Sequence, residues 1–232
     1  MTAPVIENFS TFKQEETTAL AVNDPSGVSV GDLLLLPINA GDSTVAFGGL
    51  SNFTSIADDT YSFGVARSGL YYRIADRTAA DSVTITRASA QWTAATMYRI
   101  SGVDTENPIH KSTLSADRFN GDPLTSDSVT TTVDDCLIMV FSGSSICKIG
   151  STFTVSEGSL DQHEDCFPFL MANKALTGQA TDGDWDFAVS GAGIYQRTQF
   201  MTIAIAPGAA PAGRSVNSSL IHRMPMRHML TR

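Results

Sequence analysis

Short apolar or alternating segments recur along the chain between clusters of Gly, Asp, Asn and Pro, at residues 31–40, 68–86, 96–109, 128–143 and 196–208. Residues 33–36 are four consecutive leucines stopped by Pro37, a run too short for a helix and suited to a strand buried on both faces. Residues 136–141 repeat that character. Between Ser82 and Thr86 the pattern alternates instead: Val83 and Ile85 point one way, and Ser82, Thr84 and Thr86 the other, which predicts a half-buried strand. Trp185, Phe187 and Val189 alternate in the same way with Asp184, Asp186 and Ala188, and the apolar residues 200–206 close the series before Pro207. No stripe of period 3.6 intervenes. The pattern therefore predicts an all-β chain folded as an antiparallel β-sandwich.

Three segments follow from the punctuation. Residues 1–26 carry Val5 and Phe9 and end in the turn Asn23-Asp-Pro-Ser-Gly27, so they read as an edge strand or an extended N-terminal arm. Residues 27–208 form the sandwich. Residues 209–232 begin in the small-residue linker Gly208-Ala-Ala-Pro-Ala-Gly213 and continue as a basic, Met-rich C-terminal arm that Pro225 prevents from being one straight helix. In that arm Arg214, Leu220, Ile221, Arg223, Met224, Met226, Arg227, Met229 and Leu230 are the candidate partner-binding residues. Arginine pairs with acidic surface, and Met and Leu fill an irregular apolar groove without requiring one fixed shape. No internal repeat is evident in the residue pattern.

Composition sharpens this division. At 232 residues with 42% hydrophobic content the chain has the material for a sizeable core, and only 17% of it is charged. The net charge is −9, but the four arginines after Pro207 have no acidic neighbours, so the body carries −13 and the tail +4. A body of that sign lacks the clustered cations that neutralise phosphates, which excludes nucleic acid as its partner. No apolar run is long enough to span a bilayer, so no membrane partner is expected. The opening Met1-Thr-Ala-Pro-Val-Ile-Glu-Asn8 has neither basic nor apolar character, and the expectation is a chain made and kept in a cytosol, or released from it by lysis. Cys136, Cys147 and Cys166 are an odd set without metal-ligand spacing, and reduced thiols are expected, with Cys136 in the core.

Candidate chemistry is thin. Asp182-Gly-Asp-Trp-Asp186 superficially resembles a calcium loop but lacks a later bidentate Glu, and Asp184 and Asp186 share the outward face of a strand. Asp161-Gln-His-Glu-Asp165 sets one His among carboxylates with no second ligand nearby, and a solvated loop is the better account. His110 follows Asn-Pro-Ile and reads as a loop residue, and no Gly-x-Ser-x-Gly elbow occurs. Tyr71, Tyr72, Trp92 and Tyr98 are either a stacking platform for a sugar or strand aromatics divided between core and surface. No cofactor, metal or catalytic set is expected.

In chain order the motifs Gly31-Asp-Leu-Leu-Leu-Leu36, Leu70-Tyr-Tyr-Arg-Ile-Ala75, Ser101-Gly-Val-Asp104 with Asn107-Pro-Ile109, Ser128-Val-Thr-Thr-Thr-Val-Asp-Asp-Cys-Leu-Ile138 and Thr202-Ile-Ala-Ile-Ala-Pro207 resemble a group of bacteriophage virion proteins of the tail-fibre, spike or capsid-decoration type. The family's Pro-x-Gly-Trp after the first strand pair is missing, and Leu50-Ser-Asn-Phe53 stands there. The resemblance implies a jelly-roll or concanavalin-like sandwich and a non-enzymatic structural component of the virion, assembled in the bacterial host cytoplasm. Its partners would be other virion proteins and further copies of itself. The alternative is a carbohydrate-binding module that recognises a host surface glycan.

Overall fold

The computed structural model describes residues 1–41, 46–61, 66–78, 81–115, 118–119, 124–144, 152–163, 169–190 and 197–209. Every regular element among them is a strand. The first half of the chain supplies β1 (Val5–Phe9), β2 (Lys13–Asn23), β3 (Leu33–Ala40), β4 (Thr54–Tyr61), β5 (Ala66–Ile74), β6 (Ser82–Ala95) and β7 (Tyr98–Ser101). These make one antiparallel sheet in the order β1-β7-β3-β5-β4, with β6 pairing both β3 and β2. Residues 1–26 thus contribute two strands, each at an end of the pairing order.

The second half supplies β8 (Ile109–Leu114), β9 (Arg118–Phe119), β10 (Leu124–Thr125), β11 (Val129–Thr130), β12 (Leu137–Ser144), β13 (Thr152–Val155), β14 (Ser159–His163), β15 (Phe169–Ala175), β16 (Thr181–Asp182), β17 (Asp186–Ser190) and β18 (Arg197–Ile205). The main sheet here runs β14-β15-β12-β18-β8, with β9 also on β18, while β10-β17-β13 and β11-β16 form two small sheets. No described strand passes from one main sheet to the other, so the order does not carry the interleaved Greek keys of a jelly roll.

The two main sheets face each other as the sandwich, and each is covered on its outer face as well. Between them Leu33, Leu35, Tyr98 and Ile100 meet Leu137, Met139, Phe141 and Ile203. On the far side of the first sheet, Leu34, Leu36 and Ile38 pack against Leu20 and Val22 of β2 and Val83 and Ile85 of β6. The distal part of the β2-β6 ribbon therefore folds back over the sheet. On the far side of the second sheet, Ile138, Val140 and Phe200 are covered by Leu124, Val129, Trp185 and Phe187, with the Phe187 and Phe200 rings stacked 4.8 Å apart. Double coverage is why β3 and β12 are apolar at successive positions, where a sheet with one wet face would alternate. Residues 33–36 are fully buried, as are Cys136 and Ile138.

Between β6 and β7 the strand breaks at Thr96-Met97, and a buried serine bridges the gap. The Ser10 amide donates to the Met97 carbonyl at 2.8 Å, the Met97 amide donates to Ser10 Oγ at 2.9 Å, and Thr96 Oγ1 donates to the Ser10 carbonyl at 3.0 Å. Groups that the break would orphan in the core are satisfied there. Cys136 is a free, buried thiol, and burial pushes its pKa up, with Asp134 and Asp135 adding to the rise, so it behaves as a core residue rather than a nucleophile.

Candidate interaction site

The acidic loop turns its first carboxylate inward and the other two outward. Asp182 is 9% exposed and accepts hydrogen bonds from the Trp185 indole Nε1 at 2.8 Å, the Gly183 amide at 2.7 Å and Lys174 Nζ at 2.8 Å. Asp184 and Asp186 are exposed, and Asp186 accepts from Thr125 Oγ1 at 2.8 Å. The three carboxylates do not converge on one point. Burial by itself would raise the Asp182 carboxyl, but the bonds from Lys174, Trp185 and Gly183 outweigh it and hold the group below the usual carboxylate range.

A carboxyl with a lowered folded-state pKa adds stability above its unfolded pKa and loses it as pH falls through the folded value. Wild-type protein is therefore expected to lose melting temperature below about pH 4, the ordinary aspartate range, and Asp182→Asn is expected to flatten that decline. At neutral pH the same substitution costs about 1–3 kcal/mol by removing the charged acceptor from buried donors, read by denaturant titration at pH 7 and pH 3.

The aromatic residues divide between layers. Tyr71 is buried under the β2-β6 ribbon in T-shaped contact with Phe47, Tyr98 is fully buried between the main sheets beside Phe141, and Tyr72 is half-buried. Burial pushes the Tyr71 phenol pKa far up, with the Asp58 hydrogen bond adding to it. Trp92 alone of the four is exposed, at 44%. These rings share no stacking platform. The Asp161, Gln162 and His163 backbone lies in β14, where a loop was expected, because the segment's backbone pairs with β15 and adds an edge strand to the sheet; Glu164 and Asp165 lie outside the described residues. His110 also sits on a strand, β8, and its Nε2 faces the Thr132 amide at 3.1 Å.

Three other carboxylates in the body, Asp24, Asp32 and Asp58, pair with arginines. Asp24 is capped by Arg73, whose Nη2 reaches both carboxylate oxygens at 2.8 and 2.7 Å, and Arg73 in turn lies over the Phe53 ring at 5.4 Å. Arg99 holds Asp32 at 2.6 Å and Arg67 holds Asp58 at 2.5 Å.

A candidate surface for a partner lies where the end of the described chain near Gly208 meets the N-terminus. Val103 bridges Pro207, the Gly208 amide donates to the Gly102 carbonyl at 2.7 Å, and the Thr2 amide donates to the Gly208 carbonyl at 3.1 Å. Both ends of the body are thereby pinned side by side. A cleft of about 500 Å³ opens there between Met1, Asn107, Ile109, Val133 and Pro207, with the Asp104 side chain at its wall. Asp104 accepts the amides of Glu106 and Asn107 at 2.9 and 3.2 Å, which fixes a bend carrying two acidic residues beside the exit. The arm residues Arg214, Leu220, Ile221, Arg223, Met224, Met226, Arg227, Met229 and Leu230 lie outside the described residues, as do Cys147 and Cys166. Among the described residues no group of three or more His, Cys, Asp or Glu is placed to hold a metal ion, and no helix is long and apolar enough to cross a membrane. Comparison with family models, with curated proteins and with solved structures finds no match for this chain.

Proposed function

We propose that this chain is a non-enzymatic structural component of a bacteriophage virion, of the tail-fibre, spike or head-decoration type, which assembles with other virion proteins and with copies of itself through its C-terminal arm. The observation that carries the reading is the exit: a doubly covered acidic body pins its two ends together at Thr2 and Gly208 and releases from that point a segment bearing four arginines and no carboxylates. Both faces of both sheets are engaged internally, so assembly falls to edges and to the arm. The order of the sequence motifs supplies the virion context, and the bacterial cytoplasm is the place of assembly.

Deleting residues 214–232 is expected to leave the melting transition of the body nearly unchanged while abolishing incorporation into the particle or oligomer, followed by sedimentation of assembled material. Normal incorporation of the shortened chain would sink the reading. Of Tyr71, Tyr72, Trp92 and Tyr98 only Trp92 is exposed, so unchanged adsorption to host cells by Trp92→Ala virions is expected.

A further inference from the structure

We propose that the body is a tandem duplication of one unit of about a hundred residues, and that the two units pack as a homodimer fused into a single chain. Leaving aside β2, β6 and β9, which pair off the main path, and the two small sheets, let each half be read as strands a to e in chain order. In the first half these are β1, β3, β4, β5 and β7; in the second they are β8, β12, β14, β15 and β18. Both main sheets then run c-d-b-e-a. Hairpins are local and two all-β halves can reach one order independently, so order alone is weak. Register is stronger, because a slip of one residue turns every side chain to the other face.

The registers agree. Leu33 pairs with Ile74 on one side and Ile100 on the other, and Leu137 pairs with Ala175 and Ile205. On strand a, Ile6 faces Ile100 as Ile109 faces Ile205, and in both units the next residue, Glu7 or His110, is bulged out before pairing resumes at Asn8 or Lys111. Before strand b the same bond closes the sheet end: the Ala75 amide donates to the Asp32 carbonyl at 2.8 Å, and the Leu176 amide to the Cys136 carbonyl at 2.8 Å. Two residues ahead of Leu33 and of Leu137 stand Gly31, at φ 91°, and Asp135, at φ 59°, the one non-glycine at positive φ among the described residues. An aspartate holds a left-handed turn at the place where the other unit has glycine.

The cores follow the same equivalence. Leu33, Leu35 and Ile100 match Leu137, Met139 and Ile205, and all six lie in the one core between the sheets. Leu34 and Leu36 match Ile138 and Val140, and these lie in the two outer cores, one pair in each. Even the caps correspond: a segment between strands b and c meets the strand that precedes e, through Gly48 on Thr86 in one unit and β13 on β17 in the other.

Contacts between the units are reciprocal, as a two-fold axis demands. Gly102 and Val103 are equivalent to Pro207 and Gly208; Val103 bridges Pro207, and the Gly208 amide bonds to the Gly102 carbonyl. Asn39 is equivalent to Gly143, and a Cβ built on Gly143 would stand 3.0 Å from Asn39 Oδ1, so this residue meets its own counterpart. The sandwich interface is therefore a surface made for a second copy of the unit.

The test is an experimentally determined structure of the full chain, with strands b, d and e of the first unit superposed on those of the second. The expected result is one rotation close to a half turn that also carries Ile6 and Asn8 onto Ile109 and Lys111. A rotation far from a half turn, or a best fit with any of the strands displaced by one residue, overturns the proposal. Separate profiles of relatives of residues 2–104 and 105–208 provide a second reading. They are expected to align with Leu33 on Leu137 and Leu70 on Met171, and an alignment in another register, or none above shuffled controls, also overturns it.

Discussion

Replacing Phe141 by alanine is expected to lower stability by about 3–5 kcal/mol, the range for emptying an aromatic site in a close-packed core. Phe141 lies between the two main sheets with no solvent exposure, its ring 5.8 Å from that of Tyr98, and neither sheet can close the void alone because each is held from behind by its own cover. Against a total of about 5–15 kcal/mol for a folded domain, the loss is large. For a chain of this size it corresponds to a melting temperature lower by on the order of 6–20 °C. Thermal and denaturant melts of F141A against Trp92→Ala check it, since Trp92 is exposed and its removal should fall within about 0.5 kcal/mol. A loss of under about 1 kcal/mol for F141A would mean that the sheets collapse freely onto the site.

Gly49→Ala is expected to cost at least about 2 kcal/mol, for a backbone reason rather than a packing one. Gly49 holds φ 79°, and a Cβ there would stand 2.0 Å from the Thr84 carbonyl oxygen. That oxygen belongs to β6, which cannot move aside without breaking the adjacent pair in which the Gly48 and Thr86 amides and carbonyls bond at 2.9 and 3.0 Å. The methyl group should therefore lift the β2-β6 ribbon from Leu34 and Leu36. Hydrogen exchange distinguishes this local event from global weakening: amides of residues 82–86 should exchange faster in G49A while those of β12 keep their relative protection. Uniform acceleration across both sheets would contradict the local mechanism.

The sequence shows most clearly what burial on both faces imposes. Residues 33–36 and 136–141 announce central strands because no position in them meets water, and Val83 and Ile85 announce a strand lying on a core with its other face wet. What remains illegible depends on tertiary geometry. The role of residues 1–26 rests on a strand broken at Ser10 opposite a break at Thr96-Met97, and a broken strand has no continuous period to detect. His110 and His163 look like loop residues because β8 and β14 are edges with weak apolar patterns. The aromatic residues are divided by which sheet face each strand presents, so spacing alone could not separate Tyr71 from Tyr98. The resemblance between the halves escapes the residue pattern because the equivalent positions keep register and burial rather than identity: Tyr98 stands where the other half has Ile203, and Gly31 where it has Asp135. At the candidate exit, the anchor is built by backbone bonds of Gly102, Val103 and Gly208, which leave no mark on side-chain chemistry.

The meeting of Asn39 with Gly143 carries an evolutionary consequence. In a dimer of two identical chains, a residue on the axis is mutated on both sides at once, so any gain in bulk is doubled where there is least room. Here Asn39 accepts a 2.7 Å hydrogen bond from the Tyr61 hydroxyl and occupies space that a side chain on residue 143 would need. One gene encoding both partners lets the two sides diverge separately, so a polar network can grow at the centre of the interface while its counterpart shrinks to glycine. The same freedom extends to the rims, where one half can specialise for attachment while the other keeps the fold.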